Sequence, residues 1–202
     1  MPRTSKRAQR RTEQRKSDAT YAGIQRRLVA FAYDYILIAI YIGILTATTL
    51  ALAALGRPLN RLFADAVSSD LSAFVLVILP VIVYFSWQEG STRQSSWGKR
   101  RVGLRVTDAR GQPIGYKQAF LRSILKFVPW QMAHTAIFQL SFADSQPTIG
   151  VYLLLAGAYG LATVYIVAIW RRRDHRALYD VLAGTAVILP NEFNQPEKEK
   201  KK

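Results

Sequence analysis

Cysteine is absent from the 202 residues, which excludes a disulfide scaffold, thiolate metal sites and cysteine nucleophiles. The absence leaves the redox compartment open, because a membrane protein of any compartment can lack cysteine. Histidine is nearly absent as well. His134 and His175 stand apart from any carboxylate cluster, so no metal site and no cofactor is expected. No serine, histidine and aspartate arrangement presents itself, and enzyme catalysis is not expected. Acid is scarce: 13 Asp+Glu stand against 28 Lys+Arg, a net charge of +15. Yet half the residues are hydrophobic and the mean hydropathy is slightly positive. A soluble basic protein would spread its charge along the chain. Here the charges cluster between long uncharged stretches, as in a polytopic membrane protein.

Four uncharged windows can be read. Tyr35–Gly56 has 22 residues, Leu71–Gln88 has 18 around a mid-span Pro80, and Ser145–Trp170 has 26. As a helix, the first is about 33 Å long, enough for a hydrocarbon core of about 30 Å. The fourth, Phe127–Ala143, has 17 residues and carries Pro129, Gln131, His134 and Gln139. On length alone it fits the interface, and charge decides for a crossing. With four spans, 26 of the 28 Lys/Arg fall on one side, leaving Arg57 and Arg61 opposite. The positive-inside rule places both termini in the cytoplasm, as expected for a multi-pass membrane protein. Ala51-Leu52-Ala53 has the look of a cleavage site, but the run before it is too long for a signal peptide, and it is kept as a span.

The expected architecture is therefore all-α and polytopic, with spans near 30–56, 71–88, 119–143 and 147–170. Residues 1–20 form a basic arm, 21–189 the membrane domain and 190–202 a polar, disordered tail. The arm and Lys198–Lys202 lack aromatics and nucleic-acid motifs, so anionic lipid is the expected partner and nucleic acid is not. Tyr21–Leu28 is predicted to begin an interfacial helix running into the first span. Val102, Leu104 and Val106 alternate with polar residues before the turn Asp108-Ala109-Arg110-Gly111, predicting a short cytoplasmic β-hairpin. Gln118–Lys126 resumes a helix, and Ala177–Val187 reads as an interfacial C-terminal segment around one acid. No internal repeat is found.

Charges near the bilayer carry the chemistry. Arg27 and Asp34 lie seven residues apart, on one helix face, with Asp34 about 10 Å deeper. A carboxylate there costs about 2.5–3.5 kcal/mol on insertion scales and needs a cation, a water-filled cavity or a proton. It is either an ion or proton site or a structural charge pair. Asp180 is a lone acid that can pair with Arg27, with Arg122 or with Arg171–Arg173. Lys99, Arg100, Arg101 and Arg105 lack the glycine and hydroxyl of a phosphate loop and are expected to contact lipid head groups. Ala39, Gly43, Ala47 and Ala51 form a small-residue stripe for helix packing, with Ala156 and Gly160 a possible matching surface. His134 is expected to be structural and His175 solvated.

Taken in order, Arg27…Asp34, Gly98-Lys99 through Gly103-Leu104-Arg105-Val106, Asp108 and Gly111, Gln118-Ala119…Arg122, and Leu178-x-Asp180-x-x-Ala183-Gly184-Thr185 resemble the RDD family of small bacterial membrane proteins. The resemblance covers about residues 21–189. The arginine and two aspartates of the family's name are matched by Arg27, Asp34 and Asp180. Two positions depart: Tyr179 stands where the family often has His, and Ser96 where it often has Thr. The first weakens a proton shuttle through that His. The resemblance implies transport, with sodium–proton exchange reported for some members. Asp34 and Asp180 would then be alternately protonated or cation-coordinating, with Arg27 lowering their pKa values and Arg122 in the same network. Four spans are few to enclose a path, so a homo-oligomer is expected. The alternative is a non-transporting module that organises lipids or a partner complex, in which the three charges staple the first helix to the C-terminal segment.

Overall fold

The computed structural model describes residues 20–57, 59–143 and 146–190. The basic arm and the polar tail expected from the sequence lie outside the described residues, apart from Thr20 and Pro190 at their edges. The chain enters through a short strand β1 (Thr20–Tyr21) and turns at Gly23 into helix α1 (Ile24–Ala54). At 1.5 Å per residue, these 31 residues reach about 46 Å. Only Ala30 and Asp34 are buried along α1, both near its start, while Ile36, Ile40, Ile44 and Leu50 are exposed. So much open apolar surface on one helix is a surface built for lipid or for another helix.

After a 3-10 turn (Asn60–Phe63), Asp65 starts helix α2 (Ala66–Gly90) by accepting from the Val67 and Ser68 amides at 2.9 Å each. A short helix α3 (Trp97–Arg101) and strand β2 (Arg105–Asp108) follow. Helix α4 (Tyr116–Ser141) and helix α5 (Ile149–Arg171) follow and pack against each other. Helix α6 (Leu178–Leu182) and strand β3 (Thr185–Leu189) complete the described fold. Among the described residues, three helices, α1, α2 and α5, are long and apolar enough to cross a membrane. Helix α4 has 26 residues, about 39 Å, but is more polar.

Prolines inside two of these helices are compensated in the same way. Pro80 has no N–H for the Leu76 carbonyl four residues earlier, and α2 widens into a π-turn over Phe74–Ile78. The Tyr41 hydroxyl, reaching across from α1, donates to Leu76 O at 2.5 Å. Pro129 likewise frees the Leu125 carbonyl in α4, and the Tyr165 hydroxyl of α5 donates to it at 2.7 Å. A carbonyl left bare in hydrocarbon is expensive, so these tyrosines lock neighbouring helices together. Tyr41→Phe and Tyr165→Phe are each expected to lower stability by about 1–2 kcal/mol. Tyr159→Phe, at a hydroxyl on an exposed ring, should leave it unchanged. The midpoint of SDS-induced unfolding in mixed micelles reads the difference.

The predicted hairpin is corrected by the sheet. The turn forms, with Asp108 Oδ1 accepting from the Arg110 and Gln112 amides and Gly111 at φ +77°. Its return arm reduces to a single bridge between Thr107 and Pro113. The partner of β2 is instead β3, antiparallel, with Val106 opposite Val187; β1 pairs on the other edge of β3, giving the order β1-β3-β2. The reason is local: Thr185-Ala186-Val187-Ile188-Leu189 is the more apolar strand, and Val187 closes a core with Ala22, Ala30, Leu104, Val106, Ile114 and Ala119. The end of the segment expected at the interface is thus the central strand of the sheet. A second core of Ile78, Val81, Ile82, Phe85 and Phe127 joins α2 to α4. The small-residue stripe is also corrected. Ala39, Gly43, Ala47 and Ala51 are exposed, Gly43 and Gly160 have open space beside them, and no stripe-to-stripe packing forms among the described residues.

Candidate functional site

The helix ends nearest the sheet meet over a set of buried charges. Arg27 stands one turn into α1. Its Nη1 donates to Asp180 Oδ2 at 2.7 Å and its Nε to the Ala22 carbonyl at 3.1 Å. The predicted helical face is present, but the two residues on it part company: Arg27 is bonded to Asp180, and Asp34 to other groups. The expectation that Arg27 governs Asp34 directly is therefore replaced by an Arg27–Asp180 pair spanning 153 positions of sequence.

Asp180 sits in α6 with its side chain fully buried. Besides Arg27 it accepts from Arg122 Nε at 2.9 Å, the Ala177 amide at 3.2 Å and the Thr185 hydroxyl at 3.3 Å. Burial alone would raise its pKa. The Arg122 and Arg27 guanidiniums, with their hydrogen bonds, outweigh burial and hold the carboxyl below the ordinary range. Tyr179, where a histidine was the expected family residue, packs edge-on against Tyr165 and lies under the Arg122 guanidinium at 5.3 Å. Burial, and then the Asp180 charge, push its hydroxyl up to about 12.

Arg122, from α4, is the hub. Its Nε serves Asp180 and its Nη1 donates to Glu89 Oε2, at the end of α2. Glu89 in turn accepts from Lys99 Nζ at 2.6 Å. The run Arg27–Asp180–Arg122–Glu89–Lys99 joins five elements through four ion pairs whose side chains are nearly all out of solvent. Lys99 is thus a correction. It was expected to face lipid head groups, but α3 lies flat on α1 and turns its ammonium inward to the otherwise unpaired face of Glu89. Arg100 is half-buried and donates to Gln88 Oε1 at 2.9 Å. Arg101 stacks on Trp97 at 5.0 Å, and it and Arg105 are exposed.

Asp34 holds a separate arrangement beside this chain of charges. Its carboxylate accepts from Ser96 Oγ at 2.6 Å, the Gly98 amide at 2.7 Å and Tyr84 Oη at 2.9 Å. It fastens α3 to α1 through a hydroxyl and an amide and ties α2 to both through a phenol, with no cation bonded to it among the described residues. Ser96 does what a threonine at this position would do, since only the hydroxyl is used. His134 bonds back to the Trp130 carbonyl of its own helix. His175, expected to be solvated, is half-buried and closes the last turn of α5 through the Ile169 carbonyl at 2.8 Å.

Glu89 was missed by the sequence reading. It ends an uncharged window, where a boundary and a buried acid look the same. Its partners Lys99 and Arg122 lie on other elements, so no local signal marked it.

Long apolar helices, gathered at one end by buried arginine, aspartate and glutamate side chains, define a polytopic membrane protein organised around a charge network. The chain belongs to the RDD family, whose model matches residues 21–184. The comparisons with curated proteins and with solved structures found no match.

Proposed function

We propose that this protein is a non-enzymatic module of the bacterial plasma membrane that presents a rigid platform to lipids or to a partner complex. It has four spans, α4 being the fourth, with both termini and the sheet on the cytoplasmic side. The distribution of basic residues supports that orientation. The exposed stripe Ala39–Ala51 supports assembly with a second copy.

One observation carries the reading. Each acid of the network is saturated by fixed donors, and Asp180 holds two guanidiniums at once. A carrier carboxylate must surrender its partners to a proton or a cation in every cycle. Here that would take a carboxylate from buried Arg122 and part-buried Arg27 together, a cost several times the thermal energy. The network fits a latch that ties the N-terminal helix, α2, α4 and the C-terminal segment into one body.

Exchange of monovalent cations for protons is the second reading, and Asp34 favours it. Its donors are neutral, so its charge has no cation in contact. The experiment is dissipation of a pH gradient by sodium, potassium and lithium in proteoliposomes, using wild type beside folded Asp34→Asn and Asp180→Asn variants. No cation-dependent flux is expected. Flux that disappears in Asp34→Asn would establish an exchanger and sink the module.

A further inference from the structure

One cation near the network has no acid. Lys126, on α4 one turn beyond Arg122, makes no ion pair among the described residues. Its ammonium rests instead on aromatic faces, 3.5 Å from the Phe85 centroid, 5.0 Å from Phe127 and 5.8 Å from Phe31. Across the cluster, Arg27, Lys99, Arg122 and Lys126 face Asp34, Glu89 and Asp180. With Lys126 protonated, the cluster is one negative charge short.

Two of the rings under Lys126 also line an apolar groove between α1, α2 and α4. Phe31 and Ile42 mark its ends along α1, Val77 and Val81 form its α2 wall, and Phe127 and Trp130 its α4 wall. Phe31, Ile42 and Trp130 are exposed, so the groove opens sideways from the helices. From Phe31 to Ile42 is 11 residues, or about 16 Å. That is roughly half of a hydrocarbon core of about 30 Å. The groove is therefore about as long as one leaflet is thick, and its charged end is the end nearest the sheet.

We infer that this groove is a site for a single anionic phospholipid of the sheet-side leaflet, with an acyl chain along Phe31–Ile42 and the phosphodiester on Lys126. The inference deepens the proposal above by naming the lipid that the module holds. Charge selects the occupant. A phosphodiester with an uncharged head group brings the one negative charge that the cluster lacks. A zwitterionic lipid brings its own cation and leaves the cluster as it was. Desolvation between three rings makes the Lys126 ammonium a better partner for that phosphate than the exposed Arg101 and Arg105.

Native mass spectrometry of the full-length protein, delipidated in detergent and offered equal dioleoyl phosphatidylglycerol and phosphatidylcholine, tests this. Wild type is expected to keep one phosphatidylglycerol with about a tenfold preference, a difference of about 1.4 kcal/mol. Lys126→Gln should abolish the preference and Lys126→Arg should keep it. Ile42→Trp, which fills the groove while leaving the charges alone, should reduce retention of both lipids and stands in if Lys126→Gln does not fold. The double change Arg101→Gln with Arg105→Gln should leave the preference intact. Equal retention of the two lipids by wild type would overturn the site. So would a preference that survives in folded Lys126→Gln, one lost only with Arg101 and Arg105, or a second protein copy held in the groove in place of lipid. The assay involves no ion gradient. A cation flux in proteoliposomes would thus remove the module and leave this result standing.

Discussion

Replacing Arg122 with methionine is expected to destabilise the protein by about 3–5 kcal/mol, the largest loss from any single change in the network. Methionine fills much of the same volume, so the loss is electrostatic rather than a cavity effect. It removes one cation from two acids together: Glu89 keeps only Lys99, and Asp180 only Arg27. Both acids are fully buried, so water cannot take the place of the guanidinium. The double variant Arg122→Met with Glu89→Gln should lose less than the two single losses added together, because the second change removes a charge that the first has stranded. The pH dependence has a fixed sign. The folded pKa of Asp180 is lowered, so its contribution is complete above the unfolded carboxylate range and is lost as pH falls through the folded value. Acidification should therefore weaken wild type more than Asp180→Asn. Unfolding midpoints in SDS at neutral and acid pH check both statements, and an Arg122→Met midpoint equal to that of wild type would refute the latch.

What could be read in the sequence follows from how local the determining physics is. The windows that became α1, α2 and α5 are visible because a span needs an uninterrupted apolar run, and nothing distant alters that need. The turn at Asp108–Gly111 is visible for the same reason, its hydrogen bonds closing within five residues. The Asp180 pairs were left open among Arg27, Arg122 and Arg171–Arg173, because which cation arrives depends on how α1, α4 and α6 converge. Lys99 illustrates the failure most clearly. In sequence it is one of three adjacent basic residues, which looks like a surface patch. In the structure, the five-residue helix α3 turns Lys99 inward, Arg100 to the side and Arg101 outward. The pairing of β2 with β3, some eighty positions away, had no local signal, and the hairpin was the shorter loop that local reasoning preferred. Glu89 and Tyr84 stayed hidden because their partners lie on other elements.

Gly98→Ala is expected to be the most damaging one-carbon change in the molecule. In sequence, Gly98 is one of several glycines in a basic loop, and three of them are constrained in different ways. Gly103 and Gly111 adopt φ of +71° and +77° with open space beside them. An alanine there meets only backbone strain, about 1 kcal/mol. Gly98 has ordinary helical φ, but its missing Cβ is the space through which α3 touches α1. A methyl group would collide with the Ala30 carbonyl and lie 2.8 Å from Asp34 Cγ. The obstacle is backbone, so no side chain can swing away, and α3 must lift. Lifting it breaks the Gly98 amide and Ser96 hydroxyl bonds to Asp34 and carries Lys99 off Glu89. Two buried acids are then under-satisfied because of one methyl group, so the expected loss exceeds the usual 1–3 kcal/mol of overpacking. Gly103→Ala should lose no more than about a third as much. Adding Asp34→Ala to Gly98→Ala should restore part of the stability, since it removes the carboxylate that the lifted helix abandons. A Gly98→Ala protein as stable as wild type would show that α3 is not held against α1, and the buried place of Lys99 would fall with it.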